Sequence, residues 1–372
     1  MSAGGFVLAA GGTGGHLFPA RALAAELIRH GREVRLLTDA RTDAFSDSLP
    51  GLAVDRLKLR QPYGGPAGIA SGLTDLATGA FVARRLLRNL RPAAVIGFGG
   101  YPSLPTMLAA ATLRLPTLIH EQNAVLGRAN RLLAPYMRRI ATGFPDVVGL
   151  RAADRARAVH TGNPVRAEFL ALGEAPYHPP DPAGAVELLV LGGSQGAHIL
   201  AEIVPAALAQ LPLRLRLRLR VAQQARPEDC AAVVAAYQAA GIAAEVERFF
   251  TDVPVRLARA HLVVCRAGAS TIAELAALGR PAVLIPYPFA TDDHQTANAR
   301  AFAAAGGGEM VAQSALHSAT LAEKLMQLID DGAALRRMAG RAAAFGRPDA
   351  TRRLAQLAVA LLPGAAAAGL AA

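Results

Sequence analysis

The stretch Gly11-Gly12-Thr13-Gly14-Gly15-His16 restricts the possible folds of this chain more than any other. It follows an apolar run, Phe6-Val7-Leu8-Ala9-Ala10, of the length of a buried strand. It precedes Leu17, Ala20, Leu23, Ala24 and Leu27, spaced three and four residues apart and ended by Gly31, which predicts a helix. A strand, a glycine loop and a helix in that order form a recognisable unit. The glycines let the backbone come close to a ligand, and the helix start offers unpaired N–H groups and a partial positive charge. The loop is therefore predicted to take a phosphate or diphosphate, with His16 at its mouth. A tight turn holding an internally bonded histidine is the plainer alternative, and it needs fewer glycines.

The same design recurs about half a chain later. Val186 to Leu191 reads as a strand, Gly192-Gly193-Ser194-Gln195-Gly196-Ala197 as its loop, and Ile199 to Leu211 as its helix, with Pro205 as a kink or break. Two such units predict two doubly wound parallel-sheet domains, each with ligands beyond the carboxyl ends of its strands. A dinucleotide reading fails on one residue. G-x-G-x-x-G begun at Gly12 requires glycine at 17, where the chain has Leu17, although Asp39 follows the second strand (Glu33 to Thr38) as a ribose-binding acid would.

Composition bounds the partners. With 372 residues the chain can bury two cores. No run approaches the roughly 18 apolar residues of a membrane span, and the start lacks the charged region of a signal peptide. Cys230 and Cys265 build neither a disulfide framework nor a zinc site. The net charge of +11, nearly all arginine, points to an anionic ligand, a nucleic acid or an anionic membrane surface. The absence of Trp and of any aromatic RNA-binding motif argues against nucleic acid.

Along the chain, Gln61 to Pro66 reads as a loop. Ile69, Leu73, Leu76, Phe81, Val82, Leu86 and Leu87 then alternate with Arg84, Arg85, Arg88 and Arg91. Two readings stay open for this helix: a face for an anionic bilayer, or a core-facing helix with a solvated basic side. Strands are predicted at 93–98, 116–119, 138–142 and 158–161. Gly99-Gly100-Tyr101-Pro102-Ser103 follows the first of these, and His120-Glu121-Gln122-Asn123 ends the second, where polar residues read as site residues. The proline-rich stretch 171–184 suits a linker. Leu213 to Val221 alternates leucine and arginine and predicts a strand towards a sheet edge. Leu262 to Cys265 and Ala282 to Pro286 are buried strands. Thr271 and Glu274 match a capping box, so capping is one role for Glu274. Asp292, Asp293, His294, Gln295 and Asn298 are placed to line a site. The expected division is 1–166, a linker 167–184, 185–345, a C-terminal helix 346–362 packing back on the first domain, and a frayed tail 363–372.

In order and spacing, GGTGGH (11–16), GGYPS (99–103), HEQN (120–123), GNPVR (162–166), GGSQGA (192–197), CRAGASTIAE (265–274) and PYPFATDDHQTANA (286–299) carry a close resemblance. The chain resembles the MurG family, the bacterial UDP-N-acetylglucosamine:lipid I N-acetylglucosaminyltransferases of peptidoglycan synthesis. The likeness runs from about 6 to 350. It implies the α/β GT-B fold, two Rossmann-like doubly wound domains facing across a cleft. The implied partners are UDP-N-acetylglucosamine, the undecaprenyl-diphosphate-linked lipid I, an anionic membrane surface and other cell-wall synthesis proteins. The implied location is peripheral, on the cytoplasmic face of the inner membrane.

The resemblance also implies roles. Glu274 would hold the ribose hydroxyls, since one carboxylate accepts from two neighbouring OH groups. Phe250 would meet uracil through its backbone. The main chain of Ala269, Ser270 and Thr271 would meet the diphosphate, with Ile272 and Ala273 in the same run. Ser194 and Arg166 would serve the nucleotide, Asn123 and Gln295 the sugar hydroxyls. Thr13, Gly14 and Gly15 would border donor and acceptor. Gly99, Gly100, Tyr101 and Ser103 would lie on the acceptor side. One turn departs from the family: where many members have His-Gln-Ser/Thr-Gly, this chain has Ala222-Gln223-Gln224-Ala225, so that turn is assigned no role. The implied reaction inverts the anomeric centre in one displacement and needs a base for the acceptor 4-hydroxyl. His16 and Glu121 are the candidates, His16 the favoured one. No paired carboxylates of DxD type stand near a glycine loop, so no metal or cofactor is expected. Another GT-B enzyme acting on UDP-sugars, a glycolipid synthase or an epimerase, is the alternative. A non-catalytic nucleotide-binding protein is the alternative from a different class.

Overall fold

Strands covered on both faces must be apolar at nearly every position. In β1 (Phe6–Ala9), β4 (Ala94–Gly97) and β11 (Leu262–Cys265) every residue is buried. The computed structural model describes residues 5–11, 14–39, 49–57, 66–173, 175–193 and 196–362, the side chains of 66–71 and 73 excepted. The chain divides into two compact units, one reaching to Arg166 and resuming at Pro348, the other spanning Ala167–Arg347.

The first unit adds β2 (Val34–Asp39), β3 (Leu52–Leu57), β5 (Thr117–Glu121), β6 (Arg139–Thr142) and β7 (Ala158–His160). All pair in parallel, in the order β3-β2-β1-β4-β5-β6-β7. The order reverses between β1 and β4, so the crevice at their carboxyl ends is the place for a ligand. The second unit holds β8 (Val186–Leu191), β9 (Leu219–Gln224), β10 (Ala243–Glu247), β12 (Ala282–Leu284) and β13 (Gly308–Met310) beside β11. Its order is β10-β9-β8-β11-β12-β13, again all parallel, with the reversal between β8 and β11.

The helix Gly14–Arg29 buries Leu17, Ala20, Leu23, Ala24 and Leu27 on one side of the first sheet. The chain returns at its end to the same cluster. Leu354, Ala355, Ala358 and Val359 of the helix Ala350–Val359 pack into it. On the opposite face, Ala83 and Leu87 of the helix Pro66–Leu90 join Met107 and Ala110 of the helix Ser103–Thr112.

Two expectations change. Leu213 to Val221 is not one strand: Leu213–Arg216 is a helical turn, and β9 starts at Leu219. Leu215 and Leu219 are fully buried while Leu213 and Leu217 are exposed. The true apolar spacing is therefore four, which an alternation of leucine and arginine hides. β9 lies towards the edge of its sheet, as expected, with β10 as the edge strand outside it. Pro205 breaks nothing; it sits inside the helix His198–Ala209.

Candidate functional site

The carboxyl ends of β1 and β4 bring Gly11 and His16 against the turn Gly99-Gly100-Tyr101-Pro102. A Cβ at Gly11 would lie 2.8 Å from Pro102. Gly100 has φ +74°, a left-handed conformation that disfavours any side chain. Its face is covered by an imidazole: a Cβ there would stand 3.2 Å from His16 Cδ2 and 3.4 Å from Nε2. His16 is half-buried in the first turn of the helix Gly14–Arg29, while Gly15 is exposed and Gly14 half-buried. Thr13, Gly12 and Ser194 lie outside the described residues.

β5 delivers the four polar residues from 120 to 123. His16 Nδ1 is 3.0 Å from Gln122 Oε1. Gln122 Nε2 faces Phe98 O and His120 O, each at 3.0 Å, and His120 Nδ1, also at 3.0 Å. His120 Nε2 is 3.1 Å from Gly162 O. Burial pushes the His120 pKa down to about 4, against a smaller opposing effect of the Gly162 carbonyl. His120 is thus a neutral imidazole at neutral pH.

Glu121 is placed differently. It is buried, and Asn123 N and Nδ2 donate to its Oε1 at 3.0 and 3.2 Å. Gly127 N and Asn130 Nδ2 donate to its Oε2 at 2.9 and 2.8 Å. This carboxylate ties the segment after β5 into one piece. Asn123 is half-buried and anchored by that carboxylate. On the neighbouring loop the Tyr101 hydroxyl donates to Gly72 O at 2.9 Å, and the buried Ser103 hydroxyl to Gly100 O at 3.0 Å. Arg166 stacks its guanidinium over Phe18, 5.3 Å from the ring centre.

In the second unit the helix Ala269–Ala277 follows β11 at the reversal point. Its N-cap is Gly268, and the first intrahelical bond runs from Ile272 N to Gly268 O at 3.0 Å. The N–H groups of Ala269, Ser270 and Thr271 therefore precede the helical ladder and suit an anion. This corrects the capping-box reading: Thr271 lies inside the helix and Glu274 one turn further on. Ser270, Thr271, Ala273 and Glu274 are half-buried, Ile272 buried. Gln295 Oε1 accepts from Ala267 N at 3.2 Å and Tyr287 N at 2.9 Å, which fixes its amide and leaves Nε2 to donate outward. Phe250 is buried beneath Arg256, whose guanidinium stands 4.1 Å from the ring centre.

Several residues were missed or misread from the sequence. Arg266 is buried and donates to Ile285 O and Pro286 O, both at 3.1 Å, joining the ends of β11 and β12. Asn298 is fully buried and donates to Ala267 O at 3.1 Å. The divergent segment is not a turn: Ala222 to Gln224 belong to β9, where Gln223 is buried and bonded to Leu200 O and the Tyr237 hydroxyl. Gln122 and His120 were noticed as polar but given no role. Only the side-chain network shows what they touch.

Comparison with known proteins accounts for both units. The glycosyltransferase family 28 N-terminal domain matches residues 6–142, and the family 28 C-terminal domain matches 187–354. A UDP-N-acetylglucosamine–N-acetylmuramyl-(pentapeptide) pyrophosphoryl-undecaprenol N-acetylglucosamine transferase of Rhodospirillum centenum is 56% identical over 95% of this chain and 94% of its own. The protein of the same name from Paramagnetospirillum magneticum is 53% identical, covering 96% of each chain. Among solved structures, Acinetobacter baumannii MurG is similar with a TM-score of 0.78 at 31% identity, over 95% of this chain and 99% of its own. A UDP-GlcNAc 2-epimerase from Neisseria meningitidis shares the fold alone: TM-score 0.64 at 13% identity, over 94% of this chain and 98% of its own.

Proposed function

The chain belongs to the MurG family of UDP-N-acetylglucosamine:lipid I N-acetylglucosaminyltransferases, built on the GT-B fold, and on that premise we propose that His16 is the general base of the transfer. The reaction moves N-acetylglucosamine from UDP-N-acetylglucosamine to the muramoyl 4-hydroxyl of lipid I, giving lipid II. Epimerisation, the other UDP-sugar chemistry considered, has only a shared fold behind it.

One observation carries the assignment. His16 stands at the reversal point of the first sheet with Nε2 against the Gly100 backbone and no hydrogen bond to that nitrogen among the described residues. Glu121 has its oxygens engaged by four N–H donors. Imidazole exchanges a proton near neutral pH, as a base in this reaction must. The acceptor oxygen gives its proton to Nε2 and forms the new bond at the anomeric carbon, while UDP leaves with the electron pair of the broken bond. The growing charge on the diphosphate is met by the N–H groups of Ala269, Ser270 and Thr271 at the start of their helix. Within the second unit, Glu274 takes the ribose hydroxyls and the Gln295 amide, its oxygen held by Ala267 N and Tyr287 N, the sugar.

The membrane side rests on the helix Pro66–Leu90. Phe81 is 70% exposed and Val82 48%, and Arg85 and Arg88 are exposed beside them at helical spacing. An apolar pair framed by arginines suits an anionic bilayer surface. No helix among the described residues is long and apolar enough to cross a membrane. Arg84 is not part of this face, because it donates to the Thr112 hydroxyl. The reading is of a protein lying on the cytoplasmic face of the membrane where lipid I is embedded.

His16→Ala tests the base. kcat should fall by about 100-fold or more with UDP binding by calorimetry unchanged. If turnover survives in His16→Ala and is abolished in Glu121→Gln at unchanged stability, the roles are reversed.

A further inference from the structure

A base with two nitrogens works only if the correct one is bare. The network behind His16 decides which. Gln122 is buried, and its amide nitrogen faces two backbone carbonyls, Phe98 O and His120 O, at 3.0 Å. Carbonyls only accept, so the nitrogen must point there and the oxygen must point at His16. The contact at 3.0 Å between Gln122 Oε1 and His16 Nδ1 is therefore one in which Nδ1 donates. His120 reinforces this orientation. Its Nε2 donates to Gly162 O at 3.1 Å, so its Nδ1 is an acceptor turned towards the Gln122 amide nitrogen. The backbone of β5 is held to the same end, because Asn163 Nδ2 donates to Gln122 O at 2.8 Å.

We propose that Gln122, oriented by Phe98, His120 and Gly162, is a positioning residue that holds His16 as its Nδ1–H tautomer and so presents Nε2 as the bare, basic nitrogen. This deepens the reading of His16 as the base and rests on it for its consequence in turnover; the tautomer itself can be observed without that reading. Gln122 is buried behind the imidazole, and its side chain's amide contacts are to His16, Phe98 and His120. It acts through the imidazole, as the buried partner of a catalytic or metal-bound histidine does elsewhere. Without it the imidazole is free to populate the opposite tautomer, in which Nε2 carries the proton and accepts none.

The test uses the full chain with 15N-labelled histidine. Of the nine histidines, the His16 signals are those lost in His16→Ala. In the wild type at neutral pH, Nδ1 should show the protonated shift and Nε2 the unprotonated one; the opposite pattern overturns the proposal with no Gln122 variant required. In Gln122→Met, which keeps the length and removes the hydrogen bonds, the His16 signals should move towards a tautomer mixture. kcat should then fall by roughly 10- to 100-fold with KM for both substrates unchanged. An unchanged His16 spectrum in Gln122→Met overturns the proposal. So does an unchanged kcat in Gln122→Met when His16→Ala abolishes turnover. If His16→Ala itself turns over normally, the base reading fails, and the nitrogen spectra still decide whether Gln122 sets the tautomer.

Discussion

Mild acid should loosen the first unit, and His120 sets how much. Its pKa drops from 6.5 to about 4 because the ring is fully buried. The unfolded chain therefore binds the proton first as pH falls. Stability rises with pH wherever the unfolded state holds more protons, so this contribution is lost as pH falls from about 6.5 towards 4. Applying the two values at pH 7 and pH 5 gives a loss of about 2 kcal/mol. The carboxylates held low by neighbouring arginines, Asp154 and Asp229, act in a different window. Their stabilisation is complete above the unfolded value of 3.8 and is lost only as pH falls beneath it. His261, which burial also lowers, is in the second unit. Amide hydrogen exchange in β1 and β5 reads the first unit separately. Protection there, corrected for the intrinsic pH dependence of exchange, should fall by about 2 kcal/mol between pH 7 and 5, and the fall should vanish in His120→Asn. A wild-type protection free energy that is flat over this range, or a His120 ring that titrates near its ordinary value, refutes the reasoning.

The other expectations are more direct. Glu274→Ala should weaken UDP by roughly 10- to 100-fold in calorimetry, the range for hydrogen bonds to a charged group. Because Gly268 and not Thr271 caps that helix, a lost N-cap contributes nothing to any change in melting temperature. Arg85→Glu with Arg88→Glu should reduce sedimentation with anionic vesicles by about 30-fold or more, from about 1 kcal/mol per charge lost. The effect should shrink as salt rises, with turnover of a short-chain soluble acceptor intact. Gly100→Ala forces a left-handed alanine at φ +74° against His16. It should cost about 1 kcal/mol or more of stability and lower kcat more than KM.

The fold was legible because its parallel strands are covered on both faces and so stand out as unbroken apolar runs. Val186 to Leu191 and Leu262 to Cys265 were placed to the residue. β3, β10 and β13 were not anticipated, and their burial explains why: Leu52 to Asp55 are only half-buried, most of Ala243 to Glu247 is exposed, and Glu309 and Met310 are half-buried. Edge strands carry little apolar signal. The glycine loops were visible as composition, and the sheet order put the strands they follow, β1 and β8, at reversal points. What the sequence could not show is which polar residues are bound to one another. Glu274 looked like a cap until the helix start was fixed at Ala269. His16 was favoured over Glu121 as the base, but nothing in the sequence showed that Glu121 is engaged by four donors and His16 by one partner.

That last distinction is physical. A buried carboxylate is costly unless its oxygens are satisfied. Glu121 is satisfied by Asn123, Gly127 and Asn130, all within nine residues of it along the chain. Taking a proton from a substrate would require breaking into that set and would release the loop it holds. Glu121→Gln replaces an acceptor oxygen with an NH2 that must face an N–H donor, so it should lower stability whether or not the acceptor is bound. His16 makes the opposite arrangement. One ring nitrogen is bonded to a residue more than a hundred positions away in sequence, and the other is bonded to nothing among the described residues. A side chain fixed at one end and open at the other can accept a proton without any part of the fold having to move. The polar cluster at the end of β5 thus divides its labour: Glu121 fixes the backbone, Gln122 holds one nitrogen of the imidazole, and the other nitrogen is the one proposed to take the acceptor's proton.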